Sequence, residues 1–178
     1  MKKWAYSGLS ALMLSGVIGL PSMASAEATK LDSNKSYYIL DSDKRKPLTS
    51  VVERGGDWKY WDFLKRSSSE EQGKKFKVEY DTKNACYKIK MESPTYSGYD
   101  YVSRSSWNNV YLDKSSEASC WKMDGLESPY YQDIYTNTGT VFPILNYWTA
   151  NSEDWIKTVN WRGGEDNKPT LWEFVPAD

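Results

Sequence analysis

An all-β fold of three four-stranded units is what this sequence predicts, on three observations. Short runs alternate apolar and polar residues at period two, as in Tyr87, Ile89 and Met91 against Cys86, Lys88 and Lys90. No stretch sustains apolar residues at three- and four-residue spacing, so helix content is expected to be low. Opening strands near Tyr37, Cys86 and Tyr130, and closing strands centred on Phe76, Trp121 and Trp172, both recur at roughly 45–50 residues. A six- or seven-strand sandwich would share the strand spacing but not the three-fold echo. The echo selects a β-trefoil, a short closed barrel capped by three hairpins, with units at about 31–80, 81–124 and 125–178. The closing aromatics Phe76, Trp121 and Trp172 then belong in the central core.

The middle unit is the clearest. A strand at 85–91 gives way to the turn-rich segment 92–98, which holds Pro94 and Gly98. Runs at 99–102 and 110–112 flank a polar stretch and read as a hairpin. A closing strand at 119–123 ends in the turn signal Asp124-Gly125. The first unit has strands at 35–40, 47–52, 58–64 and 76–80. The third opens at 130–135, turns at Asn137-Thr138-Gly139, continues at 140–145 and closes at 171–175. Its stretch from Tyr147 to Trp161 reads as irregular, with at most one helical turn at 155–159.

The first residues belong to another device. Lys2 and Lys3, an apolar run at 11–20 and the small-residue triplet Ala24-Ser25-Ala26 form a secretory signal peptide over 1–26, cleaved after Ala26. The apolar run is too short to span a membrane. Export is therefore expected, to the outside or to a periplasm. Residues 27–178 form a single β-trefoil domain on this reading, 152 of the 178 residues. Without the two signal-peptide lysines, 21 basic residues face 24 acidic ones, a net charge of −3. That balance excludes nucleic acid as a partner, because phosphate binding needs concentrated positive charge.

Two cysteines in an exported chain are most simply a disulfide, and Cys86 and Cys120 sit in the first and last strands of one unit. Closing a loop of about 35 residues stabilises by roughly 3–4 kcal/mol in chain-entropy models. Two buried thiols are the alternative. A redox or metal centre is excluded by spacing, since there is no Cys-x-x-Cys and no histidine. The lack of histidine also removes Ser-His-Asp and Cys-His machinery. Asp100, Asp113, Asp133, Asp154 and Asp166 are candidate acids, but each lies in turn-like surroundings where capping is the ordinary role. Neither catalysis, a metal nor a cofactor is expected.

The informative excess is aromatic: eight tryptophans and thirteen tyrosines remain after residue 26. A barrel of this size cannot bury them all, and exposed rings with a polar edge suit sugars or protein partners. Trp121 and Trp172 are expected in the core. Trp58, Trp61, Trp107, Trp148 and Trp155 fall in hairpins or loops, where burial and exposure are equally open.

The order of strand, turn, hairpin and closing aromatic strand, with Phe76-Lys77-Val78, Cys120-Trp121-Lys122-Met123 and Leu171-Trp172-Glu173-Phe174 closing the units, resembles the ricin B-type trefoil lectins. The Gln-x-Trp of that family is absent at all three places. The resemblance implies a secreted, non-enzymatic recognition module that binds a glycan or cell-surface receptor, as the cell-binding component of a toxin alongside other secreted subunits. It also implies a sugar site made of a carboxylate, an aromatic platform and an amide, an order met by Asp100, Trp107 and Asn109. The first unit offers Asp57 with Trp58 or Trp61 but no amide. The third holds Asn146, Tyr147 and Trp148 in another order. Separately, residues 31–40 followed by Pro47-Leu48-Thr49 are similar to the opening of Kunitz-type soybean trypsin inhibitors. That resemblance implies the alternative function, protease inhibition by an Arg or Lys on a rigid loop.

Overall fold

The computed structural model describes residues 31–55, 59–69, 73–125, 131–138, 144–163 and 168–177. The expected signal peptide, Tyr130, most of the strand expected at 140–145, and Asp57, Trp58 and Asp166 lie outside the described residues. Within them the chain is all-β. Twelve strands are present: β1 Ser36–Asp41, β2 Leu48–Arg54, β3 Tyr60–Arg66, β4 Lys75–Asp81, β5 Cys86–Met91, β6 Tyr101–Arg104, β7 Val110–Asp113, β8 Lys122–Gly125, β9 Tyr131–Asn137, β10 Leu145–Ala150, β11 Ile156–Val159 and β12 Trp172–Pro176. The only helical element among the described residues is a single 3-10 turn, Ser115–Glu117.

All pairings are antiparallel, and they link the strands into one sheet in the order β11-β10-β9-β12-β1-β4-β5-β6-β7-β3-β2, with β8 on β9. Six strands also follow one another around a ring. β1 pairs with β12 and β4, and β4 pairs with β5. Tyr87 of β5 and Trp121, just before β8, exchange N–H···O bonds of 2.7 and 2.9 Å. β8 pairs with β9, and β9 with β12. The other six strands form the hairpins β2–β3, β6–β7 and β10–β11. These touch one another through Phe63↔Tyr111, Lys65↔Trp155 and Asn109↔Lys157.

Period-two alternation places the core. Tyr37 and Ile39 of β1, Phe76 and Val78 of β4, Ile89 and Met91 of β5, and Trp172 and Phe174 of β12 all point inward and are buried. Phe76, Trp121 and Trp172 are each 0% exposed. Trp148 joins them: its ring meets Trp121 edge-on at 5.0 Å and Trp172 at 5.9 Å. Such edge-to-face geometry sets the positive edge of one ring against the negative face of the next. Trp121 also donates its indole N–H to the Val102 carbonyl at 3.0 Å. Cys86 and Cys120 form a disulfide with Cα atoms 5.5 Å apart, tying β5 to the segment before β8.

The stretch from Tyr147 to Trp161, read from the sequence as irregular, is most of a hairpin. Asn146 and Trp148 point inward from β10, and Ile156 and Thr158 from β11. Two of these four inward residues are polar, so the apolar alternation that marks a strand is broken here. Asn146 is satisfied by donating to the Thr138 hydroxyl at 2.9 Å and the Ile144 carbonyl at 3.0 Å. Another polar group holds two hairpins together. Buried Arg66, at the end of β3, reaches Asp41 at 2.5 Å and Asp154, in the β10–β11 turn, at 2.7 Å. Burial raises the Asp154 carboxyl, but hydrogen bonds from Lys46 and Arg66 and their charges more than offset this and hold it below the ordinary value.

Candidate functional site: an aromatic face on the hairpins

The face is built from the β6–β7 turn upward. Ser105 donates its N–H to the Asn109 carbonyl at 2.9 Å, and the Ser105 hydroxyl accepts the Asn109 N–H at 3.1 Å. Asn108 takes a left-handed backbone, φ 65°, which asparagine tolerates better than most residues. Its side-chain oxygen accepts a hydrogen bond from Arg104, and its backbone oxygen accepts the Thr158 N–H at 2.7 Å. Arg104 also donates to the Thr158 hydroxyl at 2.8 Å, and burial lowers its guanidinium pKa. The turn is thus held both by its own strands and by β11. Trp107 stands out from it, 82% exposed.

Trp107, Asn109, Arg104, Trp61, Phe63 and Tyr111 line a cleft of about 360 Å³, within the usual range for small-ligand sites. Trp61 meets Tyr111 edge-on at 5.3 Å, and Phe63 lies 6.3 Å from the same ring. Trp155 lies 6.4 Å from Phe63 and carries the Lys65 ammonium 4.4 Å from its centroid. Trp61 also lines a second cleft, about 520 Å³, with Tyr60, Asp62, Thr95, Tyr96 and Tyr99. Trp107 borders a third, polar one of about 660 Å³ that includes Asn108, Thr149, Lys157 and Thr170. Trp61 is thus shared by the first and second clefts, and Trp107 by the first and third.

Of the three residues expected to share a sugar site, Trp107 and Asn109 meet in one cleft. Asp100 does not reach it: it precedes β6, at the opposite end of the hairpin from the Trp107 turn, and pairs with Lys90 at 3.2 Å. That hydrogen bond raises the Lys90 pKa, with the charges of Tyr101 and Asp100 adding to it. In the third unit, Trp148 is core and Asn146 is buried and hydrogen-bonded, which closes that alternative. Two other candidate acids are engaged by protein groups. Asp113 accepts the Tyr111 hydroxyl at 2.8 Å, and Asp154 belongs to the Arg66 network. Asp133 differs, because burial and then the Asp124 charge, directly opposite in the β8–β9 register, raise its carboxyl above the ordinary value. Asp124 accepts the Tyr135 hydroxyl at 2.8 Å.

Sequence reasoning missed Asp62. In β3 the inward residues are Asp62, Leu64 and Arg66, while Trp61 and Phe63 are half-buried toward the clefts. Hydrophobicity alone suggests the opposite face. Thr95 donates its N–H to one Asp62 oxygen at 3.0 Å, and the other, equally buried, has no hydrogen-bond partner. Among the described residues no group of three or more His, Cys, Asp or Glu is placed to hold a metal ion, and no helix is long and apolar enough to cross a membrane.

No family model and no curated protein matches this sequence. Solved structures do match. Lysenin in complex with phosphocholine aligns with a TM-score of 0.63 at 14% identity, over 84% of this chain and 46% of that one. Trypsin inhibitor from soybean aligns at 0.58 and 12% identity, over 84% and 95%. The binding domain of Paraclostridial Mosquitocidal Protein 1 aligns at 0.57 and 20% identity, over 84% and 43%. At these identities the likeness is one of fold, consistent with a β-trefoil. The chain spans about half the length of the lysenin and mosquitocidal chains it matches.

Proposed function

We propose that this chain is a secreted, non-enzymatic recognition module with a β-trefoil fold, binding a glycan or a glycan-bearing cell-surface receptor through the aromatic face of its hairpins. One observation carries the reading. An 82%-exposed tryptophan, Trp107, sits on a hydrogen-bonded turn beside Asn109, above the half-buried rings of Trp61, Phe63 and Tyr111. A turn held in place ahead of binding loses little freedom when a ligand stacks on the indole it carries, and the flat face of that ring suits the C–H face of a sugar while the amide meets hydroxyls. The trefoil arrangement of three four-stranded units is supported by the ring of six paired strands and the three mutually touching hairpins. A role as the binding part of a toxin is supported by the likeness to a mosquitocidal binding domain. Export is supported by the signal-like residues 1–26, and the disulfide is compatible with it.

A glycan array read alongside titrations of tryptophan fluorescence tests the proposal. Binding by wild type, weakened about tenfold or more in Trp107→Ala, is the expected result; no response to any glycan overturns it. A second reading, protease inhibition, is favoured by the match over 95% of soybean trypsin inhibitor. The β4–β5 turn has a suitable shape. Asp81 accepts N–H bonds from Lys83 at 3.0 Å and Asn84 at 3.2 Å, plus the Asn84 amide at 2.7 Å, and leaves Lys83 exposed. Tight inhibition of a secreted protease, abolished by Lys83→Ala and untouched by Trp107→Ala, would establish that function instead.

A further inference from the structure

We infer that the outer face of β8, β9 and β10 is a second binding surface, which takes the guanidinium of an arginine presented by a protein partner. Antiparallel register puts its members on one side of the sheet. Asp124 lies opposite Asp133, Tyr135 lies opposite Tyr147, and Asp133 and Tyr135 are two residues apart on β9. The residues that alternate with them, Gln132, Ile134 and Thr136, are buried on the inner side. The rings of Tyr135 and Tyr147 lie 5.0 Å apart with their planes tilted by 37°. Trp161, 38% exposed, stands edge-on to Tyr147 at 6.3 Å. None of these five residues lines the clefts around Trp61 and Trp107, so this surface is separate from the glycan face.

Charge complementarity names the occupant. Two carboxylates directly opposite each other in a sheet repel, and neither has an ion pair among the described residues. Burial and then the Asp124 charge act on the Asp133 carboxyl, with no cation offsetting them. The other charged groups on this face are already engaged. Lys122, opposite Tyr135, donates to the Asn84 and Ala85 carbonyls of the β4–β5 turn, and Glu173 pairs with Arg45. One Asp124 oxygen accepts the Tyr135 hydroxyl, whereas Asp133 accepts no hydrogen bond among the described residues. A guanidinium answers both halves of the surface: its planar N–H donors match a carboxylate, and its flat face stacks on aromatic rings. A quaternary ammonium would suit the rings but has no N–H to give the carboxylates. The guanidinium of proteins is the arginine side chain, and arginine, tyrosine and tryptophan are the residues that dominate interface energetics.

The test titrates a capped glycine pentapeptide with a central arginine into the whole protein, followed by NMR shifts of the Trp161 indole N–H and the Tyr135 and Tyr147 amides. Its citrulline counterpart, of the same shape without the charge, and choline chloride are titrated in parallel. The arginine peptide is expected to move these signals, with the citrulline peptide about tenfold or more weaker, as for hydrogen bonds to charged groups. Asp133→Asn is expected to lose arginine affinity by about tenfold or more on the same grounds. It should also melt at a higher temperature than wild type at neutral pH, because its repulsion by Asp124 is gone; a variant that merely damaged the fold would melt lower. Tyr147→Leu, which keeps apolar cover but removes the ring, is expected to weaken the arginine peptide as well, and both variants should bind the array-selected glycan as wild type does. No shift with the arginine peptide overturns the inference, and so does equal affinity for arginine and citrulline, or wild-type affinity in both variants. Choline binding more tightly than the arginine peptide would make a quaternary ammonium the occupant and overturn the arginine assignment. Failure of the glycan array leaves this inference standing, because the two surfaces share no residue.

Discussion

Two sets of tryptophans divide the molecule. Trp121, Trp148 and Trp172 stack edge to face inside the ring, each 0% exposed. Trp61, Trp107 and Trp155 lie on the hairpin face, half-buried or open. The residue type is the same, and the difference lies in what each ring is packed against. Inside the ring a tryptophan is surrounded by strands that alternate inward, so its area contributes to folding. On the hairpins the inward positions of β3 are taken by Asp62, Leu64 and Arg66, which turns Trp61 and Phe63 outward. Area left open there is available to a ligand.

The sharpest way to break that division is Trp121→Ala. Deleting a fully buried indole that also donates to Val102 is expected to cost roughly 3–5 kcal/mol, read from urea denaturation. A loss within experimental noise would mean that the two sets are not energetically distinct. Next comes the covalent tie of the ring. Cys86→Ala with Cys120→Ala is expected to lose roughly 3–4 kcal/mol, and mass spectrometry of non-reduced wild type should find no free thiol. Neither change should alter ligand affinity once the protein is folded.

How much of this was legible differs between the same two regions. The strands of the ring announce themselves because their inward residues are apolar: Tyr37 and Ile39, Phe76 and Val78, Ile89 and Met91. Their closing aromatics recur at a spacing a reader can count. The first two hairpins are legible as well, at 47–52 with 58–64 and at 99–102 with 110–112, but the third hides because polar groups take inward positions and find partners far away in sequence. Arg66 meets Asp41 and Asp154, and Asn146 meets Arg104 at 3.4 Å. No local pattern reveals such pairs, so β10–β11 read as irregular and Asp62 as an ordinary polar residue. The sugar triad suffered similarly. Trp107 and Asn109 are neighbours in sequence and in space, but Asp100 is separated from them by the length of β6, roughly 13 Å at the usual rise.

Carboxylates offer a finer comparison, because one on the ring and one on the hairpins shift in opposite directions. Asp133, on β9, is raised by burial and by the facing Asp124. Its folded form holds the proton to higher pH than the unfolded chain, so its contribution to stability is present at low pH and lost as pH rises through the raised value. Asp154 is held below the ordinary value once the cations have offset its burial. Its contribution is present above the ordinary value and lost as pH falls through the lowered one. Melting temperatures measured from about pH 3 to pH 7 should therefore decline less steeply with rising pH in Asp133→Asn, and less steeply with falling pH in Asp154→Asn. Each change should be smaller than that of the disulfide. Identical profiles for the two variants would remove this distinction between ring and hairpins.

The smallest expected effect on folding sharpens the division most. Trp107→Ala removes as large a side chain as Trp121→Ala does, but from a position 82% exposed. The turn beneath it is held by groups other than the indole: the Ser105 hydroxyl, the Asn108 carbonyl and side chain, and Arg104. Stability is therefore expected to change by no more than about 0.5 kcal/mol, as for surface substitutions away from special features. Losing a stacking ring should still reduce glycan affinity about tenfold or more, in line with roughly 1–3 kcal/mol for an aromatic stacking partner. Calorimetry of the folded variant against the array-selected glycan measures both quantities on one sample. A melting temperature far below wild type would make Trp107 part of the fold and dissolve the contrast. An unchanged melting temperature with unchanged affinity would keep the contrast and move the binding surface elsewhere.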